Sequence, residues 1–263
     1  MAGSGFGTNF RITTWGETHG AGVGVVVDGC PAGLPLERED VQKYLDRRKP
    51  GQSKYTTQRK EGDQVEILSG IFEGRTTGTP ISMVVYNKDQ RSKDYSNIKD
   101  IYRPGHADFT FDMKYGFRDY RGGGRSSGRE TIGRVAAGAV AAKVLKELGI
   151  EIKAYAKAIA GIEVSKDHFD FAEMNNNPFN MPDKEAAKLV QEKADQMIKE
   201  MDSIGGIIEC QITGMPVGIG ETVFDKLDAE LSKAIMSIGS VKGFEIGDGF
   251  EAANLRGSEN NDD

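Results

Sequence analysis

Two histidines in the 263-residue sequence stand beside glycines, and both are candidates for acid–base chemistry. His19 lies within residues 16–24, whose glycines leave its imidazole little side-chain packing. His106 follows a Pro-Gly pair and precedes Asp108, which we expect to orient the ring. An imidazole changes charge near neutral pH, so either ring could transfer a proton in a reaction. A structural hydrogen-bonding role is equally open for both.

Residues 120–130 read Tyr-Arg-Gly-Gly-Gly-Arg-Ser-Ser-Gly-Arg-Glu and lead into a predicted helix. Ser127 and Glu130 have the spacing of a capping box. A helix entered through glycine and serine presents backbone N–H groups and a positive dipole end, and arginines add planar donors for phosphate or carboxylate. We predict anion binding here, against the alternative of an ordinary capped helix with solvated arginines. The cations of this region are Lys114, Arg118, Arg121, Arg125, Arg129 and Arg134.

The familiar nucleotide-binding motifs do not fit these glycine-rich segments. Residues 123–129 are one residue away from a Walker A loop, but Arg129-Glu130 replaces the Lys-Ser/Thr pair and puts a carboxylate where phosphates would lie. Residues 16–24 are followed by a β-branched run, whereas a dinucleotide fingerprint requires a helix there. We interpret residues 16–24 as part of a strand–turn–strand unit, in which the glycines permit close approach of backbone or ligand.

A second basic segment covers residues 43–60, with seven cations and one acid at the end of a predicted helix and in the hydroxyl-rich loop that follows. Cations are favoured at a helix C-terminus, so a solvated helix end is one interpretation. The density of charge slightly favours a second anion site. Because the whole chain has a net charge of −6, local cationic clefts predict a small anionic ligand rather than a nucleic acid.

The composition, 38% hydrophobic and 28% charged, is that of a globular protein in water. No apolar run reaches membrane-spanning length and the first residues lack a signal region, so we expect a cytoplasmic protein without a membrane partner. Cys30 and Cys210 show no metal or redox spacing and are predicted to be reduced thiols in the core. No metal site is expected. His168 lies in a polar turn and is predicted to be on the surface.

Hydrophobic periodicity predicts interspersed helices and locally paired strands, which favours an α+β fold with antiparallel sheets and packed helices over a parallel α/β sheet. Residues 87–99 are polar and are predicted to form a loop long enough to cover a site. No linker divides the chain, so residues 1–263 are expected to form a single domain. The predicted helices are residues 36–48, 132–148, 183–202 and 226–238, and the predicted strands are residues 10–15, 25–29, 65–68, 81–86, 151–164 and 207–212.

Taken together, these segments resemble the chorismate synthase family. They span nearly the whole chain in one order, and several long independent motifs make the resemblance highly specific. The matching segments are Gly16-Glu-Thr-His-Gly20, Asp28-Gly29, Arg47-Arg48, Thr56-Thr-Gln-Arg59, Arg103-Pro-Gly-His-Ala-Asp108, residues 119–130, Arg134-Val-Ala-Ala-Gly138, residues 236–243 and Gly247-Asp-Gly249.

The resemblance implies a β-α-β sandwich and a carbon–oxygen lyase acting on a phosphate, the last enzyme of the shikimate pathway of aromatic amino-acid biosynthesis. Such enzymes convert 5-enolpyruvylshikimate 3-phosphate to chorismate by anti-1,4-elimination of phosphate and a ring proton. The resemblance also implies reduced FMN without net redox change, NADPH as a possible reductant, and a homotetramer. The phosphate and two carboxylates of the substrate would account for the arginine clusters.

The same resemblance assigns roles to individual residues. His19 would protonate the departing phosphate, and His106 would act on the flavin. The positions that correspond to FMN contacts are Arg125, Ser126, Ser127, Gly239 and Ser240. The positions expected to bind substrate or NADPH are Arg48, Lys54, Arg129 and Arg134.

Some features depart from the family pattern. Family members usually continue beyond the position of Asp263 with a Lys-Pro-Thr FMN contact and an Arg-His-Asp segment, so we expect a truncated product or the ordered part of a longer chain. Thr18 replaces a commoner serine, Gly239-Ser240 stands where Asn-Ala can occur, and Lys54 replaces an arginine, which removes a bidentate contact. A non-catalytic anion- or flavin-binding protein is the alternative hypothesis.

Overall fold

The structure, a computed structural model, describes residues 3–56, 61–88 and 99–261. Every strand pair in this part of the chain is antiparallel, which confirms the predicted α+β class with packed helices. The strands are β1 (Gly5–Phe6), β2 (Arg11–Gly16), β3 (Gly22–Asp28), β4 (Val65–Ile67), β5 (Ile71–Phe72), β6 (Arg75–Thr76), β7 (Ile81–Tyr86), β8 (Glu151–Ile159), β9 (Ile162–Glu163) and β10 (Gly206–Thr213). The helices are α1 (Arg38–Arg48), α2 (Asp108–Tyr115), α3 (Thr131–Glu147), α4 (Lys184–Glu200) and α5 (Leu227–Met236).

A five-stranded sheet of order β1-β2-β3-β7-β4 forms the first half of the fold. Its central strand β3 pairs with β2 on one side and β7 on the other, so the predicted strand–turn–strand unit around His19 is confirmed. Gly24 lies opposite Trp15, and a Cβ atom there would come within 2.4 Å of the Trp15 ring and 2.5 Å of the Met83 carbonyl oxygen. Glycine at this position therefore permits close packing on the sheet.

Helices α1 and α3 cover one face of this sheet. Val41 and Leu45 of α1 and Ala139 and Val140 of α3 are fully buried, as the helical spacing predicts. A Cβ atom on Gly133 would lie 3.0 Å from the Gly24 carbonyl oxygen, so the small residues of α3 bring the helix close to β3. Helix α3 also contacts β8 and thereby lies between strands of both larger sheets.

The second sheet has the order β10-β8-β9 and packs against α4. The prediction of one strand over residues 151–164 is wrong, because the chain reverses at Ala160 and Gly161, whose φ angles are 54° and 77°. Positive φ at two successive residues suits the tight turn of a hairpin. The buried side chains of this second core are Ala156, Met181, Ala186, Ala187 and Val190.

Strand β1, the β5–β6 hairpin and helix α2 were not predicted from the sequence. The β5–β6 hairpin lies between β4 and β7, where the sequence analysis placed no strand. Helix α2 lacks a buried apolar stripe, since Phe109 is 55% and Met113 is 70% exposed, so periodicity could not reveal it. Most of the predicted loop at residues 87–99 lies outside the described residues. None of the helices in the described ranges is both long and apolar enough to cross a membrane.

Candidate functional site

His19 lies in the turn between β2 and β3 and is only 7% exposed. The glycine-rich segment closes over its imidazole at Gly122. A Cβ atom on Gly122 would lie 2.6 Å from His19 Cδ2 and 2.9 Å from Nε2, and the Gly122 φ angle is +69°. Both the contact and the left-handed backbone require glycine here. The tertiary structure therefore brings together two segments that the sequence separates by about a hundred residues.

Arg125 fixes the glycine-rich segment to β2. Its Nη1 donates to the Gly16 carbonyl oxygen at 3.1 Å and its Nη2 donates to Thr14 Oγ1 at 2.7 Å. Glu130 lies 3.6 Å from the same guanidinium. Thr18 Oγ1 donates to the Gly124 carbonyl oxygen at 3.5 Å and adds a second connection. The Arg125 guanidinium is thus engaged with the protein, which leaves less of it for a bidentate contact with a ligand than its sequence context suggested.

The predicted capping box at Ser127 and Glu130 is wrong. Ser127 Oγ accepts from the Arg129 backbone N–H at 3.3 Å, while the Ser127 N–H donates to the Gly124 carbonyl oxygen. Because that amide is already satisfied, the Glu130 carboxylate has no role at Ser127. It accepts instead from Thr14 Oγ1 at 2.8 Å and from Arg134 Nε at 2.8 Å.

A buried ion cluster lies beside the start of α3. Asp63, whose side chain is fully buried, accepts from Arg48 Nη1 at 2.7 Å and from Arg129 Nη1 at 2.9 Å. Arg129 is 5% exposed, and its Nη2 lies 3.7 Å from Glu61 without a hydrogen-bond partner among the described residues. Two arginines predicted to bind anions therefore meet at a carboxylate. Arg48 Nε also donates to Thr131 Oγ1 at 3.2 Å.

The acids Glu61 and Asp63 were missed by the sequence analysis. Both are buried, and they follow directly after the basic run at residues 43–60. Buried carboxylates are rare unless they are paired, so their cationic partners stabilise them here. The position of two acids after a cationic segment was the only sign in the sequence that they pair with cations. Nothing in their spacing indicated Arg129, which is 66 residues from Asp63.

The prediction that Asp108 orients His106 is wrong. The Asp108 carboxylate accepts from Arg103 Nε at 2.9 Å and Nη2 at 3.0 Å, and these bonds lower the pKa of Asp108 to about 2. A bidentate guanidinium is a stronger partner for a carboxylate than a neutral ring. His106 is exposed, and its Nδ1 lies 2.9 Å from the Pro104 carbonyl oxygen. Arg103 Nη2 also donates to the Gly122 carbonyl oxygen at 2.8 Å, which connects the His106 loop to the glycine that covers His19.

Arg134 connects α3 to the turn after α5. Its Nη1 donates to Ser237 Oγ at 2.6 Å, and its Nη2 donates to the Ser237 carbonyl oxygen at 3.3 Å. Gly239 and Ser240 follow in this turn and are exposed, with a φ angle of 70° at Ser240. The start of α3 and the turn at residues 236–243 therefore adjoin one another, as a shared site would require.

Lys54 is placed apart from these residues. Its Nζ lies 2.7 Å from Asp195 Oδ1 on α4, and Tyr55 Oη donates to the same oxygen at 2.9 Å. The hydrogen bond with Asp195 raises the pKa of Lys54. The structure thus brings His19, Arg48, Arg125, Arg129 and Arg134 around the start of α3 but directs Lys54 to the second sheet and its helix.

The remaining candidates lie outside this site. Cys30 is buried as predicted, but the prediction that Cys210 lies in the core is wrong: it is exposed, because side chains on both faces of β10 are left uncovered. Both are free thiols. His168 is half exposed and lies 3.5 Å from Glu185, which agrees with a surface position. Within residues 3–56, 61–88 and 99–261, no three His, Cys, Asp or Glu side chains are placed to hold a metal ion.

Comparison with known proteins identifies the family. The family model for chorismate synthase matches residues 10–263. A chorismate synthase from Lachnospira eligens is 70% identical over 263 residues, covering 100% of this chain and 72% of that protein. One from Agathobacter rectalis is 64% identical over 262 residues, covering 100% of this chain and 71% of that protein.

The fold comparison agrees with the sequence comparison. A crystal structure of chorismate synthase superimposes with a TM-score of 0.80 and 33% sequence identity, covering 97% of this chain and 74% of that chain. These similarities do not favour the alternative of a non-catalytic binding protein. From the family match, the close relatives and the shared fold, it follows that the chain belongs to the chorismate synthase family.

Proposed function

We propose that this chain converts 5-enolpyruvylshikimate 3-phosphate to chorismate by 1,4-elimination of phosphate and a ring proton. The observation that carries the proposal is the burial of His19 under Gly122, in the glycine-rich segment that carries Arg125 and leads to the start of α3. A buried imidazole next to an anion site is suited to give its proton to a departing phosphate, because water cannot compete for it.

The charge at the start of α3 suits a multiply anionic substrate, although it is less positive than the sequence suggested. Four guanidiniums adjoin the start of α3, and three carboxylates lie among them: Glu61, Asp63 and Glu130. A protonated His19 would add one positive charge. We propose that Arg48, Arg129 and Arg134 bind the phosphate and carboxylates of the substrate, as charge-assisted hydrogen bonds favour.

The residues proposed to hold FMN fit a phosphate-bearing ligand. Open space surrounds the Cβ position of Gly124, and Ser126, Gly239 and Ser240 are exposed, so a ligand can approach this segment and the serine hydroxyls. Arg125 would contribute chiefly by fixing this segment to β2. When bound, reduced FMN supplies an electron transiently while the C–O bond breaks, with no net oxidation.

His106 can act as a proton acceptor through Nε2. The Pro104 carbonyl oxygen can only accept a hydrogen bond, so Nδ1 carries the proton and Nε2 of the neutral ring keeps its lone pair. The ring is exposed and its loop is fixed through Arg103 and Asp108. We propose that His106 holds or moves a proton at Nε2 next to the flavin.

We further propose NADPH as a possible reductant, a homotetramer and a cytoplasmic location. Arg48 and Lys54 are the proposed contacts of NADPH, and Lys54 would have to leave Asp195 to make its contact. Large apolar side chains that are strongly exposed support an assembly that would cover them, among them Val217 at 100%, Phe224 at 85% and Phe250 at 80% exposed. Two free thiols agree with a reducing compartment.

The test is anaerobic incubation of the protein with 5-enolpyruvylshikimate 3-phosphate and reduced FMN, with chorismate measured by its absorbance. We expect turnover, and a loss of about 100-fold or more in kcat in both His19→Ala and His106→Ala. His168→Ala is the matched control and should retain the parent rate, since His168 lies outside the site. Absence of chorismate from the unsubstituted protein would overturn the proposal.

A further inference from the structure

We infer that Asn87 is a positioning residue that holds the His19 turn in register with the buried arginine cluster. The inference rests on the proposed role of His19 in proton transfer. Asn87 directly follows β7, the neighbour of β3 in the sheet, and therefore lies at the sheet edge where the β2–β3 turn projects. No motif in the sequence analysis singled it out.

Asn87 contacts the backbone on both sides of His19. Its Nδ2 donates to the Glu17 carbonyl oxygen at 2.9 Å and to the Gly20 carbonyl oxygen at 2.8 Å. The Asn87 backbone N–H donates to the Ala21 carbonyl oxygen at 3.0 Å. Three bonds from one residue thus enclose this turn, in addition to the Gly20 N–H bond to the Glu17 carbonyl oxygen within it. Such bonds restrict the backbone that carries the imidazole.

The other end of the Asn87 carboxamide faces Arg129. Arg129 Nε donates to Asn87 Oδ1 at 2.6 Å. A guanidinium has no acceptor and a carbonyl oxygen has no donor, so only one orientation of the amide satisfies all three partners. An aspartate at position 87 would still accept from Arg129 but would place an oxygen against two carbonyl oxygens. The position therefore requires an amide specifically.

Through Arg129, this amide connects His19 to the cluster predicted to bind anions. Asp63 accepts hydrogen bonds from Arg129 and Arg48, and Arg48 also donates to Thr131 at the start of α3. If a bound ligand displaced Arg129, the hydrogen bond from Arg129 to the Asn87 carboxamide would change as well. Asn87 is proposed to act through the backbone of the His19 turn and not by contact with the substrate.

The chain contains a matched control. Asn177 uses the same atoms in the same way: its Nδ2 donates to the Glu173 and Met181 carbonyl oxygens, each at 2.8 Å, and its Oδ1 accepts from the Phe179 N–H at 3.1 Å. It is part-buried like Asn87 but lies in the loop before α4. Asn177→Asp therefore removes an equivalent pair of bonds far from His19.

The experiment compares Asn87→Asp with Asn177→Asp in steady-state turnover with reduced FMN supplied. For Asn87→Asp we expect kcat to fall about tenfold or more while KM changes less than about threefold, because orientation of the proton donor is lost and the anion contacts remain. Asn177→Asp should leave both constants at parent values. Equal losses of kcat in the two variants, or none in Asn87→Asp, would overturn the inference.

A second measurement does not depend on turnover. With three histidines in the sequence, the ring C–H cross-peaks can be assigned by substitution in NMR spectra of the protein without ligand. Asn87→Asp should move or split the His19 cross-peak and leave that of His168 unchanged, whereas Asn177→Asp should leave the His19 cross-peak in place. An unmoved His19 cross-peak in Asn87→Asp would contradict a positioning role even if the parent protein formed no chorismate, so the two proposals fail separately.

If Asn87→Asp does not yield folded protein by circular dichroism, Asn87→Ser takes its place. A serine hydroxyl can donate to one of the two carbonyl oxygens and adds no charge. The same kcat loss, with a smaller magnitude, and the same displacement of the His19 cross-peak are expected. Parent values for both would overturn the inference.

Discussion

The region around the start of α3 and the region around α4 stabilise their charged groups in different ways. In the first, Asp63 and Arg129 are buried together and their charges face one another. In the second, Asp183 is also buried, but its carboxylate accepts from backbone N–H groups of Glu185 and Ala186 at the start of α4. A helix cap needs no second charged side chain, whereas a buried ion pair fails when either partner is lost.

This difference suggests what each region is for. Paired buried charges cost desolvation that apolar packing would avoid, so a buried ion pair is weak evidence for stability. We interpret the pair beside α3 as one that keeps charge near the proposed ligand site. The α4 region instead relies on small apolar residues and a cap. The comparison leads to predictions whose effects should decrease in the following order.

The largest effect is expected for Asp63→Asn. The amide cannot balance Arg48 and Arg129, so the buried guanidinium of Arg129 and the partly buried one of Arg48 would lose the carboxylate that they share. We expect the free energy of unfolding, measured by urea denaturation, to fall by about 3–5 kcal/mol. Asp28→Asn is the control, since the exposed Arg11–Asp28 pair should contribute less than about 1 kcal/mol. A loss for Asp63→Asn no larger than the control would remove the contrast between the regions.

Gly122→Ala should come next. Its methyl group would clash with the His19 ring, at 2.6 Å from Cδ2, in a left-handed backbone. We expect kcat to fall about 100-fold, because the ring must move. In Gly138→Ala the added methyl group meets open space within α3, so turnover should be unchanged and stability should rise by about 0.5–1 kcal/mol. Parent-like turnover of Gly122→Ala would show that the imidazole need not stay in place.

The loss of unfolding free energy at acidic pH should depend on Asp108. Because Arg103 holds the pKa of Asp108 at about 2 instead of 3.8, this pair stabilises the protein above pH 3.8 and the contribution is lost as the pH falls toward 2. Between pH 5 and 2, the free energy of unfolding of the parent should therefore fall by roughly 1–2 kcal/mol more than that of Asp108→Asn. The measurement is denaturant titration at each pH. An equal loss of stability in the parent and in Asp108→Asn would contradict the ion pair.

The smallest effect is expected in the α4 region. Asp183→Ala removes the acceptor of two backbone N–H groups at the start of α4 and of the Ser165 N–H. We expect stability to fall by about 1 kcal/mol with no change in turnover. A change in kcat would mean that the two regions are coupled more closely than the geometry indicates.

The sequence predicted the local elements more fully than their polar contacts. The hairpin around His19, the helix that begins near residue 131 and the antiparallel class all follow from patterns within about twenty residues. The errors concern partners. Asp108 was assigned to His106 and Glu130 to Ser127, each its near neighbour in sequence, yet Asp108 binds Arg103 and Arg118 and Glu130 binds Thr14 and Arg134.

By itself, the sequence determined the family, the fold class and which histidines and arginines belong to the family motifs, because short-range periodicity and motif order are written along the chain. Only the tertiary structure decided that Asp63 lies between Arg48 and Arg129, that Asn87 encloses the His19 turn, and that Lys54 faces Asp195. The physical reason is that a charge takes whichever partner folding brings within a few ångströms, and these partners are 15 to 141 residues apart in the chain.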